Sequence, residues 1–336
     1  MTTRNHRTIE GYDVIGDVHG HLEPLLGLLR QMGYTEVDGA WQHPTRQAIF
    51  VGDLVDRGTH QVELIRVVQA MIAAGSAQMA IGNHEYNAVA WFTPVPDDPI
   101  RHCRARDHKN REQHEAFLAQ VGEQSPLHAE LIEWFCTLPL WLELELGDAR
   151  LRVVHACWDD ASMDVLRPLL SASGSLTHDA VVATSVKHSP EYEALEVVLK
   201  GPEIPLGGAV YADKGGQPRR KARRRWWDAT ATTVRTAALI PPGSLTPAGR
   251  PFPELPDTPV EPLGPTDDVP VIVGHYWCEP PLELYSPTVA CVDYSVAGKG
   301  PMVAYRWSGE SVLTVDHYEA FPVHHPSPED NDEPGE

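Results

Sequence analysis

Five short apolar runs in this 336-residue chain each lead within three residues into an Asp, Asn or His, and helical stretches separate the first three. Tyr12 to Ile15 reads as a strand; Leu22, Leu25, Leu26, Leu29 and Met32 then recur at helical spacing. Pro24 fits that helix only in its first turn, where a missing N–H costs nothing. Ala48 to Val51 is a second strand, and Leu64, Val68, Met71 and Ile72 mark a second helix. Gln78 to Ile81 is the third strand. This alternation demands βαβ units and an α/β core.

Residues 86–138 carry no strand pattern and read as helix and loop. Leu140, Leu142, Leu144 and Leu146 then alternate with Trp141, Glu143 and Glu145, predicting a strand with one wet face. Gly147-Asp148 turns it and Leu151 to Val154 returns as a buried strand. Residues 160–240 match no template, and 241–270 hold ten of the thirty prolines, an extended irregular crossing. Strands resume at Val271 to Val273, Val289 to Val292 and Met302 to Tyr305. The acidic, Pro-rich segment 326–336 is expected to be disordered.

Lys plus Arg number 27 against 47 Asp plus Glu, a formal charge of -20. Such a balance argues against stable nucleic-acid binding and against attraction to an anionic membrane, one basic run apart. No apolar run approaches the roughly 20 residues that span a bilayer, and the first residues lack the apolar stretch of a secretory signal. Cys103, Cys136, Cys157, Cys278 and Cys291 are odd in number and show no C-x-x-C spacing. A disulfide framework and a cysteine zinc site are therefore not expected, and a reducing cytoplasm is.

The chemistry sits at the strand ends, where α/β sheets assemble their sites. These ends read Gly16-Asp17-Val18-His19-Gly20, Gly52-Asp53-Leu54-Val55-Asp56-Arg57-Gly58 and Gly82-Asn83-His84-Glu85, then His155, then Gly274-His275. The ligand types are oxygen and nitrogen, and the glycines permit close approach of backbone to a metal or phosphate. GDVHG, GDLVDRG and GNHE in this order resemble the phosphoprotein phosphatase branch of the calcineurin-like metallophosphoesterases. The likeness is closest to bacterial members, which include diadenosine tetraphosphatase-like enzymes and small protein phosphatases. It is dense over 11–92 and resumes at 153–155 and 271–305, where VDYSVAGKGPMVAY is similar to the family's final strand pair.

The resemblance implies an α/β fold: a metallophosphoesterase-type β-sandwich flanked by helices, one domain over 1–325. Helical and irregular insertions at 86–138 and 160–270 would lie over the metal rim. It implies two divalent ions about 3.5–4 Å apart, with Asp53 touching both, Asp17 and His19 completing one site, and Asn83, His155 and His275 the other. Mixed carboxylate, imidazole and amide donors suit Mn, with Fe or Zn as alternatives, better than Ca. The implied reaction is attack of a metal-bridging hydroxide on phosphorus. His84 resembles the family's general acid, Asp56 would orient it, and Arg57 would hold phosphate oxygens through its planar fork.

A second phosphate-binding Arg, usual in the family, has no motif here. Arg223, Arg224 and Arg225 are the first candidates, followed by Lys200 and Lys214. The run from Arg219 to Trp227, six cations and two indoles, has two readings. It binds a polyphosphate, nucleobase or phosphopeptide by charge and stacking, or it is a solvated helix face pairing with the chain's acids. Cys157 stands where the family more often has Gly; Cys157 and Cys278 are read as small buried apolar side chains, with oxidation near the metals as the alternative. Trp41, Trp91, Trp134 and Trp141 are read as core. The expected function is phosphomonoester hydrolysis, on a phosphoprotein or small molecule, because Asp56 with His84 supplies the acid that an alkoxide leaving group needs. A dinucleoside polyphosphate is the alternative substrate. Behind these stand a nucleic-acid phosphodiesterase and a non-catalytic phosphate-binding protein.

Overall fold

The computed structural model describes residues 8–96, 98–212, 216–241, 243–261, 263–298 and 300–323. In chain order the first half contains β1 (Gly11–Ile15), α1 (Leu22–Gln31), β2 (Arg46–Phe50), α2 (Gln61–Ala73), β3 (Ala77–Met79), α3 (Asn83–Phe92), α4 (His108–Val121) and α5 (Pro126–Phe135). Then come β4 (Trp141–Leu146), β5 (Ala149–Val154), α6 (Asp160–Leu166), α7 (His178–Thr184) and α8 (Pro190–Lys200). The last are β6 (Val271–Val273), β7 (Leu284–Ser286), β8 (Val289–Cys291), β9 (Met302–Trp307) and β10 (Tyr318–Phe321).

Two five-stranded sheets, ordered β10-β9-β1-β2-β3 and β7-β8-β6-β5-β4, pack face to face. Strand alternation explains the layering. Val14, Ile49, Val153 and Ile272 point between the sheets, whereas Ile15, Ala48, Phe50, Val154 and Val273 face the helices. Both faces are therefore dry, which is why these strands read as unbroken apolar runs. β1, β2 and β3 are parallel, with Ile15 beside Phe50 and Phe50 beside Met79. Their C-terminal loops consequently emerge along one edge. β5, β6 and β8 are parallel in the second sheet, and the Gly274 N–H donates to the His155 carbonyl at 2.9 Å.

Segment 160–200, which matched no pattern, is three helices. Asp159, Thr177 and Ser189 cap them by accepting backbone N–H bonds, and Pro190 occupies the first turn of α8. Ala194, Leu195, Val198 and Leu199 pack that helix into the main core. Residues 203–205, 221–224 and 238–239 form a small sheet over a core of their own, built from Ile204, Leu206, Ala222, Val234, Ala237 and Leu255.

Three expectations are corrected. Residues 86–138 contain a short hairpin, Pro94–Val95 with Asp98–His102, that sequence alternation did not signal because its strands lie on the surface and Ile100 is 90% exposed. Within the basic run Lys221–Arg224 is a strand rather than a helix face, paired with Glu203–Pro205 and Ala238–Leu239. The second and third strands stop before Val51 and Ile81, whose backbones already turn into the edge loops. Trp91 is fully buried, and Trp41, Trp134 and Trp141 pack against the core. Lys214 and segment 326–336 lie outside the described residues. Among the described residues no helix is long and apolar enough to cross a membrane.

Candidate active site

The edge loops of the two sheets converge. Asp53 Oδ2 lies 3.8 Å from His19 Nε2, 3.8 Å from His84 Nε2 and 3.4 Å from His155 Nε2. Two trios, His19–Asp53–His84 and Asp53–His155–His275, each bring their ligand atoms within 4.8 Å of one another, and Asp53 belongs to both. Asn83 Oδ1 is 3.1 Å from His155 Nε2, and the His275 N–H donates to Asp17 at 3.1 Å. Asp17, His19, Asp53, Asn83, His155 and His275 thus share one cluster.

Backbone conformation makes this convergence possible. Six of the ten non-glycine residues in the left-handed region among the described residues lie here: His19, Asp53, Asp56, Arg57, His275 and Trp277, with φ between 47° and 72°. Strain of this kind persists where surrounding contacts over-determine it, as they do at functional sites. Gly52 (φ 109°) leaves no room for a Cβ against the Gly82 backbone, and a Cβ on Gly274 would overlap Asp17 Oδ1.

The second layer was not assigned from sequence. Glu85, the third residue of α3, accepts N–H bonds from Gly82, Asp53 and Leu54 at 3.0, 2.8 and 2.7 Å, tying the second loop to the third. Burial and the Asp53 charge push its carboxyl up to about 7. The backbone carbonyls of Val55 and Val51 each accept a bond from Nδ1 of His19 and His155 at 2.9 Å. That turns Nε2 of each ring inward, where His155 Nε2 meets Asn83 Oδ1 and Asp53 Oδ2. Nε2 of His19 and of His275 is buried without a partner.

Charge at the cluster is unbalanced. Burial, then Asp293 and Asp53, raise the Asp17 carboxyl well above the ordinary range, and burial with the neighbouring acids raises Asp293 as well. Burial lowers His19 to about 3, helped by the charge of His84. Neutral imidazoles with bare nitrogens beside crowded carboxylates are the donor set of a divalent cation, and the orphaned His19 and His275 nitrogens fit one each.

Beside this cluster His84 Nδ1 donates to Asp56 Oδ2 at 2.5 Å. His114, from α4, donates to the other carboxylate oxygen at 2.7 Å, and Gln61 Oε1 accepts the Asp56 N–H at 2.8 Å. Burial alone would raise the Asp56 carboxyl; its bonds to His114 and His84 hold it well below the usual range. For His84 burial opposes the charge, but Asp53 and Asp56 outweigh it and raise the pKa. Arg57 stacks its guanidinium 4.5 Å from the half-exposed Trp277 ring. A cavity of about 200 Å³ is lined by Asp56, Arg57, Asn83, His84, Asn87, Arg104, Gln113, His114 and Lys200.

The candidate phosphate-binding cations divide. Lys200 reaches this cavity. Arg223 lies 5.6 Å over the Tyr276 ring, and its charge helps lower the His275 pKa, behind burial. Strand alternation turns Arg224 to the opposite face, where it bonds the Glu261 carbonyl; with the exposed Arg225 it lines a different cavity. Trp226 is buried and Trp227 stacks on Tyr285 at 3.9 Å, so both indoles are packing groups. Cys157 is buried, whereas Cys278, expected to be buried as well, is only half-buried, its Sγ 3.0 Å from the Tyr285 hydroxyl.

Bis(5'-nucleosyl)-tetraphosphatase PrpE of Halalkalibacterium halodurans is 45% identical over 74 residues, 22% of this chain and 30% of that protein. The PrpE of Bacillus velezensis is 30% identical over 151 residues, 43% of this chain and 55% of its own length. The chain therefore spans less than two thirds of either relative. A solved protein serine/threonine phosphatase from Saccharomyces cerevisiae superposes on 96% of the chain and 83% of its own, at 12% identity and a TM-score of 0.49. The calcineurin-like phosphoesterase family matches residues 12–199, more than half of the chain and every edge loop of the first sheet, and to that family this protein belongs.

Proposed function

We propose that this protein is a dinuclear-metal-dependent phosphoesterase acting on phosphomonoesters, of a phosphoprotein or a small molecule. The observation that carries the reading is Asp53 Oδ2 set within 3.8 Å of His19, His84 and His155 Nε2, with the other nitrogen of His84 bonded to Asp56 at 2.5 Å. Asp17, His19 and Asp53 would hold one ion, and Asp53, Asn83, His155 and His275 the other, with Mn preferred over Fe or Zn. When bound, the pair supplies Lewis acidity toward phosphoryl oxygens and acidifies water for attack near neutral pH.

The remaining work falls to side chains. Arg57, steadied by Trp277, grips non-bridging phosphate oxygens through its planar fork. His84, with Nδ1 committed to Asp56, delivers a proton from Nε2 to the leaving oxygen. Asp56 orients the ring and favours its charged form, and His114 and Gln61 fix Asp56 in turn. Glu85 acts as a clamp that fixes the loop carrying Asp53.

A second reading, hydrolysis of a dinucleoside polyphosphate, is favoured by the three cations Arg57, Arg104 and Lys200 in one cavity and by the activity for which the PrpE relatives are named. Mn-loaded protein assayed on p-nitrophenyl phosphate, a phosphoserine peptide and diadenosine tetraphosphate separates the two by kcat/KM. Preference for the peptide supports the first; preference for the dinucleotide replaces it with the second. Absence of metal-dependent turnover on all three refutes both.

A further inference from the structure

Arg104 is a part-buried cation held in place without being neutralised. Its Nη2 donates to Asn110 Oδ1 at 3.1 Å and to Gln113 Oε1 at 2.9 Å, both neutral amides from the start of α4. Its backbone N–H donates to Ala90, which fixes the residue against the end of α3. Among the described residues no carboxylate pairs with it, and its Nε is buried with no hydrogen-bond partner. The three nearby acids are engaged elsewhere: Asp56 with His84 and His114, Glu196 with Lys200, and Asp107 with the Asn110 N–H at the start of α4. Burial pulls the Arg104 pKa below the ordinary arginine value, and the charges of Asp56, Asp107 and Glu196 offset this only in part.

A part-buried cation bonded only to neutral amides is stabilised by a ligand that supplies the counter-charge. Arg104 lines the same cavity as Arg57, His84, Gln113, His114 and Lys200. His84 is the proton donor toward the leaving oxygen and Arg57 grips the transferred phosphoryl, so the leaving group departs into the cavity that Arg104 also lines. Resting on that assignment of His84, we propose that Arg104, with Lys200 and Gln113 beside it, forms a second anion subsite that binds a phosphate of the leaving group, the subsite that the dinucleoside polyphosphate reading requires. The guanidinium fork suits phosphate geometry, and its pre-set orientation reduces the ordering cost of binding.

The test uses the full chain loaded with Mn and the variants R104Q and R104K, each checked for an unchanged melting transition. Substrates are inorganic tripolyphosphate, diadenosine tetraphosphate and p-nitrophenyl phosphate, whose leaving group carries no phosphate. The expected result is a kcat/KM loss in R104Q at least tenfold larger for tripolyphosphate and diadenosine tetraphosphate than for p-nitrophenyl phosphate, expressed mainly in KM. R104K restores part of it. Equal losses on all three substrates overturn the subsite, as does wild-type turnover of p-nitrophenyl phosphate with none of either polyphosphate; in both cases the phosphoesterase reading stands. Failure of the wild type on every substrate sinks both. A loss on diadenosine tetraphosphate and tripolyphosphate alike assigns the recognition to the phosphate chain, and a loss on the dinucleotide alone assigns it to a nucleotide-linked phosphate.

Discussion

Replacing Asp56 by Asn keeps the shape of the side chain and removes one charge from the middle of a three-residue chain. Two imidazole N–H groups donate to this carboxylate, His84 at 2.5 Å and His114 at 2.7 Å, and only 2% of Asp56 is exposed. An amide offers one acceptor oxygen where the carboxylate offers two, so one imidazole must take the tautomer with a bare Nδ1. Each charge-assisted bond of this type contributes about 1.5–3 kcal/mol, against about 0.5–1.5 kcal/mol for a neutral one. The variant is therefore expected to lose about 1–2 kcal/mol of stability, a fall readable by urea unfolding. The larger effect is on chemistry. With the Asp56 charge gone, His84 no longer holds its proton as firmly, and general-acid catalysis contributes about 10²–10⁴-fold. A loss within that range is expected for an alkyl phosphate, whose alkoxide must be protonated, with a far smaller loss for p-nitrophenyl phosphate, which departs as a stable anion. Equal losses on both esters would refute the role of Asp56 and His84 in proton delivery.

Three further outcomes follow from the geometry. Asp53→Asn, at the residue common to both trios, should reduce bound Mn below one ion per chain by elemental analysis of dialysed protein, with a circular dichroism spectrum like wild type; full retention of Mn would remove Asp53 as the shared ligand. Trp277→Ala frees Arg57 from its 4.5 Å stacking contact, worth about 0.5–2 kcal/mol, so kcat/KM should fall roughly 2- to 30-fold with the fold intact; unchanged kinetics would show that Arg57 needs no such support. His128 is buried edge-on against Phe92 and Phe117, and burial lowers its pKa from 6.5 to about 4. Its neutral form is the folded form, so its contribution is complete above pH 6.5 and is lost as pH falls toward 4. His128→Gln should flatten the fall of the melting temperature across that window, and an unaltered slope would exclude His128 as a cause.

Much of the sandwich was legible because strands buried on both faces are written as apolar runs. β1, β2, β5, β6, β8 and β9 lie where those runs predicted them, within a residue or two. Segment 160–200 was opaque for a different reason. Its helices are short, and their polar caps interrupt the period before an apolar stripe accumulates. Cations at 219–225 suggested a solvated helix, yet Ala222 and Arg224 alternate into a small sheet.

Local chemistry is what the chain declares by itself: Gly-Asp, Gly-Asn-His and apolar-then-His at strand ends name the groups that a metal and a phosphate would need. Which of them meet is a matter of sheet register. Parallel pairing of β1 with β2 and of β6 with β5 brings residues 17, 53, 155 and 275 to one edge. His114 and Arg104 reach that edge only because α3 and α4 pack across it, and no motif marks either residue, since a histidine or arginine in a polar stretch is ordinary surface until a neighbour buries it. Contact between residues far apart in the chain is set by packing, and packing depends on all the apolar residues together rather than on any short string of them.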